Sequence, residues 1–117
     1  MNKFSLLLRV LLLGAIFVIA GFIGDAGILS TTHNNTIQSS GFNQSYSDIL
    51  VGDTINWTNR DSKIHRIVSD REEFDSGNLA PGQSYSHRFR GYGVYHYHDS
   101  TNSSMKGVIL VETPGSY

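Results

Sequence analysis

Short runs of alternating apolar and polar residues, separated by turn residues, constrain the fold of this chain more than any other feature. Ile49 and Val51 alternate before the turn Gly52-Asp53, and Ile55 and Trp57 alternate after it. The pattern recurs in KIHRIVSD, SYSHRF, GVYHYH and GVILVE. A period of two places successive side chains on opposite faces of a strand. Since no window beyond the amino terminus has helical periodicity, the chain is predicted to be all-β, as a sandwich or barrel.

The amino terminus is different in character. Lys3 and Arg9 precede an apolar run that extends from residue 10 to residue 23. A short stretch that includes the small residues Gly24 and Ala26 follows the run. A basic start, a short apolar stretch and a small-residue exit are typical of a signal peptide. If Arg9 reaches the lipid headgroups, residues 4–24 are instead long enough to span a bilayer as an uncleaved helix. Both outcomes remain open, and both predict a domain outside the cytoplasm.

Composition divides the chain into three segments. Residues 1–26 are the signal peptide or uncleaved membrane anchor. Residues 27–47 are rich in Ser, Thr and Asn, which predicts a tether that merges into an irregular first strand. Residues 48–117 hold the alternating runs and are predicted to form the core of the domain.

Several classes of function are disfavoured by what the sequence lacks. The chain has no cysteine, which excludes disulfides, a lipoprotein anchor and thiolate-dependent sites. Its 9 basic and 10 acidic residues form no basic patch, so nucleic acid is not a predicted partner. There is no nucleophile elbow and no glycine-rich phosphate loop. Catalysis therefore finds little support in the sequence, and the chain is predicted not to be an enzyme.

Five segments in register resemble the cupredoxins, in their plastocyanin-like form. They are VGDTINWTNRD, KIHRIVSD, FDSGNLAPGQSYSHRF, GVYHYH and MKGVILVE, and they extend from Val51 to Glu112. The resemblance implies a Greek-key sandwich of about seven or eight strands, which here would follow an amino-terminal hydrophobic helix. It also implies a mononuclear copper site near one end of the sandwich.

The resemblance includes the loop that supplies copper ligands, which has the family pattern Tyr-x-Tyr-x-Cys-x-x-His-x-x-Met-x-Gly. This chain keeps the frame at Tyr95, Tyr97, Asp99, Asn102, Met105 and Gly107. The comparison implies that His65 is the first ligand and Met105 the axial one. Asp99 stands in the position of the cysteine and Asn102 in that of the second histidine.

These replacements change the chemistry that the resemblance implies. A blue copper centre depends on a thiolate ligand, and the chain has none. A carboxylate is a hard oxygen donor, so it favours Cu(II) over Cu(I). We therefore expect any copper held by His65, Asp99, Asn102 and Met105 to be non-blue Cu(II).

Two more histidines, His96 and His98, adjoin this loop. Residues two apart in a strand share a face, which is the spacing of a surface metal clip. The register that turns Tyr97 and Asp99 inward turns this pair outward, unless a bulge near Asp99 swings His98 towards His65. A surface clip, a site combining His65 with His98, and plain solvated histidines all remain open.

The predicted function is copper capture or delivery by a secreted, periplasm-like or membrane-attached domain on the outer face of the cytoplasmic membrane. Its expected partners are a copper ion, a redox or copper-delivery protein, and the membrane itself if the amino terminus is uncleaved. Electron transfer is suggested by family analogy alone and is disfavoured without the thiolate. A metal-free recognition module at the cell surface is the remaining alternative.

Overall fold

The structure is a computed structural model that describes residues 30–115. It contains eight strands: β1 Thr32–Gln38, β2 Gly41–Phe42, β3 Tyr46–Leu50, β4 Thr54–Asn59, β5 Ile67–Ser69, β6 Ser84–Arg88, β7 Gly93–Asp99 and β8 Asn102–Glu112. The predicted all-β class is confirmed. The hydrophobic helix predicted at the amino terminus lies outside the described residues. Between residues 30 and 115 no helix has the length and apolar character needed to cross a membrane.

The strands form two four-stranded sheets. One has the order β2-β1-β4-β6 and the other the order β3-β8-β7-β5. The pairs β1–β4 and β3–β8 are parallel, and all other neighbours are antiparallel. Consecutive strands repeatedly change sheet, which is the Greek-key arrangement predicted from the sequence.

The core lies between the two sheets and is built around aromatic rings. Trp57 stacks on Phe74 with a centroid separation of 5.6 Å and meets Tyr97 edge-on at 5.3 Å. The Trp57 indole N–H donates a 3.3 Å hydrogen bond to the Tyr97 hydroxyl, so the polar atoms of both rings are paired inside the core. These rings join the two sheets, while β5 and β7 are held together within one sheet by their own antiparallel ladder.

Strand β1 is more regular than the sequence predicts for residues 27–47. It pairs with β4 over six residue pairs, and Ile37 is fully buried. Asn35 also points inward, and its side chain exchanges hydrogen bonds with the backbone of Gln44 at 2.7 and 2.9 Å. A polar residue at an inward position interrupts the period-two pattern. This interruption explains why the sequence predicts an irregular strand there.

Gly107 provides a direct test of the packing beneath the ligand loop. A Cβ atom added at this position would overlap the ring of Tyr97 on the neighbouring strand. Because Tyr97 is itself enclosed by the core, Gly107→Ala is expected to lower the free energy of unfolding by about 1–3 kcal/mol. Urea denaturation measures this change. Lys106→Ala, at the exposed neighbouring position, is the control, and equal effects of both substitutions would contradict the explanation.

Candidate metal centre

His65 lies in the segment between β4 and β5, and several hydrogen bonds fix its backbone. It exchanges backbone hydrogen bonds with Leu79, at 3.1 Å from the His65 amide and 2.7 Å to its carbonyl. The fully buried Asn59 side chain donates to the carbonyl oxygens of Lys63 at 2.7 Å and Leu79 at 2.9 Å. The imidazole is therefore held at the end of the sandwich where β5 begins.

The imidazole of His65 lies between two carboxylates. Its Nδ1 atom is paired with Oδ2 of Asp99, and its Nε2 atom is 2.8 Å from Oδ2 of Asp61. His65 is 4% exposed and Asp99 is fully buried. An ionised carboxylate can only accept hydrogen bonds, so the arrangement favours an imidazolium with a proton on each ring nitrogen. That ion is the local counter-charge for two buried or partly buried carboxylates.

The pKa directions agree with this arrangement. Burial is the largest influence on the His65 pKa and lowers it, but the hydrogen bonds that His65 donates to Asp61 and Asp99 outweigh burial and raise the pKa above its usual range. For Asp99, burial raises the pKa, while bonds from Thr101, His65 and Arg66 together bring it below its usual range. The hydrogen bond from His65 is the main reason that the Asp61 pKa is lowered. At neutral pH both carboxylates are ionised.

Asp99 occupies the last position of β7, where the ladder to β8 is irregular. His98 pairs with Lys106, but Asp99 pairs with Asn102. The residues of β8 between Asn102 and Lys106 therefore have no partner in β7 and form a bulge. Oδ1 of Asp99 accepts from the Thr101 amide at 2.8 Å and the Thr101 hydroxyl at 2.7 Å. These bonds fix the carboxylate so that Oδ2 is directed at His65.

Met105 and Asn102 lie beside His65 on the wall of one cavity of about 260 Å³. Met105 is buried in the core cluster, whereas Asn102 is exposed. The Asn102 carbonyl oxygen already accepts from the amide and hydroxyl of Ser104, at 3.2 and 2.6 Å. Four residues stand at the ligand positions that the family resemblance implies. Of these, His65 and Asp99 contact each other, and Met105 lines the same cavity as His65. Asn102 is hydrogen-bonded to Ser104 in its own turn.

The two strand histidines are not brought to His65. Tyr97 and Asp99 are buried, while His96 is exposed and His98 is partly exposed, so the histidine pair lies on the outer face of β7. The irregularity at Asp99 leaves His98 outside, with its Nδ1 atom 2.7 Å from Oδ1 of Asp70. Across residues 30–115, no three His, Asp or Glu side chains converge on one point as a ready-made metal site.

Comparisons with known proteins identify the family of this chain. No family model matches the chain. Plastocyanin from Scenedesmus fuscus is 34% identical over 84 residues, which cover 61% of this chain and 86% of the plastocyanin. The chain belongs to the cupredoxin family. A purple cupredoxin from Nitrosopumilus maritimus has 28% identity and a TM-score of 0.65, with coverage of 68% of this chain and 99% of that structure.

Amicyanin from Paracoccus denitrificans is a second curated relative of this cupredoxin. The two are 30% identical over 69 residues, which cover 55% of this chain and 53% of the amicyanin. The alignment thus spans about half of each protein. The purple cupredoxin shares the fold of this chain, and between β7 and β8 the chain departs from the pattern of the family resemblance, since it has Asp99 in the position of the cysteine.

The donor set of this cupredoxin does not fit a blue copper centre, because the chain contains no cysteine. Its two strongest donors, an imidazole nitrogen and a carboxylate oxygen, are of the types that Cu(II) accepts. His65 Nδ1 and Asp99 Oδ2 face each other, and the Asp61 carboxylate at Nε2 orients the ring as a carboxylate commonly orients a metal-bound histidine. To hold Cu(II), His65 and Asp99 would have to give up the proton that they now share and move apart, because the two atoms are in direct hydrogen-bond contact.

Sequence analysis missed two residues that complete this centre. Asp61 ends the segment VGDTINWTNRD and was given no role, yet its carboxylate lies 2.8 Å from Nε2 on the far side of the imidazole. Thr101 supplies two of the hydrogen bonds to Asp99. An acidic residue four positions before a predicted ligand histidine was the available signal for Asp61. For Thr101 it was the Asp-x-Thr spacing, which is typical of a side chain capping its own turn.

The stability of this cupredoxin is expected to depend on the charge of His65. The folded-state pKa of His65 is raised above its ordinary value of 6.5. Its contribution to stability is therefore fully present below pH 6.5 and is lost as pH rises through the folded-state pKa. The lowered pKa values of Asp61 and Asp99 act in the opposite sense, so their contribution is lost as pH falls below about 3.8.

Urea denaturation across pH tests this expectation. The free energy of unfolding should decline above pH 6.5 in the wild-type domain as His65 loses its proton. The His65→Gln variant should show a smaller decline, because it has no proton to lose at this position. His87→Gln is the control, since burial lowers the His87 pKa and its effect has the opposite sign. An identical decline in His65→Gln and the wild type would contradict the assignment.

Proposed function

We propose that this domain binds Cu(II) in a non-blue site and serves in copper capture or delivery outside the cytoplasm. The observation that supports the proposal is the pairing of His65 Nδ1 with the Asp99 carboxylate. Asp99 stands where the family has its cysteine. The apolar, signal-like segment before residue 27 supports an extracytoplasmic location, attached to the membrane if it is uncleaved. A copper-delivery or redox protein would then be the partner.

The ligand chemistry favours binding over redox cycling. His65 supplies an imidazole nitrogen and Asp99 a hard oxygen, both of which suit Cu(II). Met105, in the wall of the same cavity, offers only a weak thioether donor. Asn102 offers an amide oxygen that is already hydrogen-bonded to Ser104. A site of this kind stabilises the oxidised ion, so electron transfer is a poorer account than storage or handover.

Binding of Cu(II) would require His65 to lose one of its two ring protons and keep the other. Asp61 keeps the Nε2 proton of His65, while the Nδ1 proton shared with Asp99 must leave before the metal binds. Because ligands must be deprotonated to bind a metal, the affinity for Cu(II) should rise with pH. Surface carboxylates are already ionised at neutral pH and release no proton when they adsorb copper. Release of a proton on binding therefore distinguishes the proposed site from such adsorption.

A copper titration tests the proposal. The domain carrying His96→Ala and His98→Ala, which removes the outer histidine pair, should bind one Cu(II) with a type 2 paramagnetic resonance spectrum. Adding His65→Ala should abolish that spectrum, whereas adding His87→Ala should leave it unchanged. Absence of binding at micromolar copper, or binding that survives His65→Ala, would overturn the proposal.

One observation favours a second candidate, a metal-free recognition module. The groups of Asp61, His65 and Asp99 satisfy one another's hydrogen bonds without a metal. A fully satisfied buried network can hold a loop in one conformation for partner recognition. The thermal midpoint of unfolding separates the candidates in the domain carrying His96→Ala and His98→Ala, because Cu(II) then raises it only if the folded state binds the ion at the His65 centre.

A further inference from the structure

The outer face of β7 carries an imidazole pair that the proposed centre does not use. His96 and His98 are two residues apart in a regular part of the strand, so their side chains leave the same face of the sheet. His96 is exposed, and the His98 side chain is 32% exposed. Between them Tyr97 is buried. Both rings are therefore accessible to an ion from solution.

Asp70 determines which nitrogen of His98 is available. Its Oδ1 atom lies 2.7 Å from His98 Nδ1, and its side chain is 52% exposed. An ionised carboxylate can only accept, so in neutral His98 the proton lies on Nδ1 and the lone pair lies on Nε2. A metal-bound histidine commonly has this arrangement, with its other nitrogen donating to a carboxylate.

The position of Asp70 relative to the strand is also fixed. The Asp70 amide donates a 2.8 Å hydrogen bond to the carbonyl of His96, next to the end of the β5–β7 ladder. The turn that carries the carboxylate is thus attached to the strand that carries both rings. The main chain from which the Asp70 carboxylate reaches His98 is therefore fixed relative to β7.

We propose that His96 and His98 form a second metal site, which binds one divalent transition ion through two imidazoles, with Asp70 positioning His98. Imidazole pairs favour Cu(II) over Zn(II) by the Irving–Williams order. Water completes the coordination, since no third His, Asp or Glu among residues 30–115 converges on the pair. The site does not depend on the proposed function, because Asp99 lies on the opposite, buried face of β7 and contacts His65 there.

The surrounding charges set the strength of this site. Lys106 pairs with His98 across the β7–β8 ladder, and its ammonium group opposes a dication on that face. Asp70 offsets that charge from the other side of His98. His96 faces the uncharged Val108 in the same ladder. Neutralising Lys106 should therefore tighten metal binding, and neutralising Asp70 should weaken it.

Titration of the full domain in a His65→Ala background tests the site alone. Cu(II) should bind with one-to-one stoichiometry and give a resonance spectrum with two imidazole nitrogens, and Zn(II) should bind more weakly. His96→Ala and His98→Ala should each remove the two-nitrogen signal. Binding that persists unchanged in either variant, or no binding at all in the His65→Ala background, would overturn the proposal.

The positioning role of Asp70 has its own readout. Asp70→Asn should weaken Cu(II) binding about tenfold or more and shift the neutral His98 ring away from the Nδ1–H tautomer in nitrogen NMR spectra. Glu72→Gln removes the same charge from an exposed position of the same turn and should leave the tautomer unchanged. Lys106→Gln should tighten binding. An unchanged His98 tautomer in Asp70→Asn would contradict the positioning role.

Discussion

A variant carrying both Asp99→Cys and Asn102→His is expected to bind copper with the intense visible absorption of a blue centre. Asp99 already contacts the His65 imidazole, and Met105 lies in the wall of the same cavity. The two substitutions therefore restore the family's ligand set on a scaffold that has kept its register. The thiolate is the ligand that produces the colour, so a change from colourless to strongly coloured is the largest effect expected for this protein.

Two controls isolate the cause of that colour. Asp99→Ser with Asn102→His has the same imidazoles without a thiolate and should remain pale with Cu(II). Asp99→Cys alone tests whether the second imidazole is needed for a stable centre. Optical and paramagnetic resonance spectra of the copper-loaded variants give the result. A double variant that folds and binds copper without strong visible absorption would show that the ligand positions are not in the family's geometry.

Asp99→Ala is expected to lower the free energy of unfolding by about 3–5 kcal/mol at pH 6. The carboxylate is fully buried and accepts hydrogen bonds from His65, Thr101 and the Arg66 amide. Removing it leaves a buried imidazolium without one of its counter-charges and leaves the Thr101 donors unpaired. Breaking a buried ion pair from one side is costly for this reason.

Urea denaturation measures the loss, provided that the slope of the unfolding free energy against urea concentration is the same in the variant and the wild type. The matched control is Asp75→Ala, which removes a carboxylate paired with Arg66 at the surface. Both side chains of that pair are more than two-fifths exposed, at 42% and 44%, so its removal should change stability far less. Equal losses in the two variants would mean that Asp99 is not part of a buried network.

The sequence predicted the sandwich well because most inward positions of its strands are apolar. The runs around Trp57 and Tyr97 alternate cleanly, and the structure places both rings in the core. Strand β1 was less predictable, since the inward Asn35 is satisfied by Gln44 nine residues later and interrupts the pattern. A pattern based on hydrophobicity does not register a buried polar side chain that finds its partner through the fold.

For the site, the sequence predicted positions better than contacts. Register along β7 favoured Asp99 inward and His98 outward, with a bulge that turns His98 towards His65 as the alternative, and the structure has Asp99 buried and His98 on the outer face. The partners of the two histidines could not be predicted in the same way. Asp70 lies 28 residues before His98 in the chain, and the Asp61 contact depends on the path of the loop that Asn59 holds. Such contacts are set by tertiary packing and not by local periodicity.

The most direct test of the central claim is a crystal structure of the Cu(II)-loaded domain, with anomalous scattering recorded at the copper absorption edge. The account predicts an anomalous peak between His65 Nδ1 and Asp99 Oδ2, in contact with both atoms. A second peak at His96 and His98 is compatible with it. An ordered, copper-saturated crystal with no peak beside His65, and with the His65–Asp99 hydrogen bond intact, would contradict it.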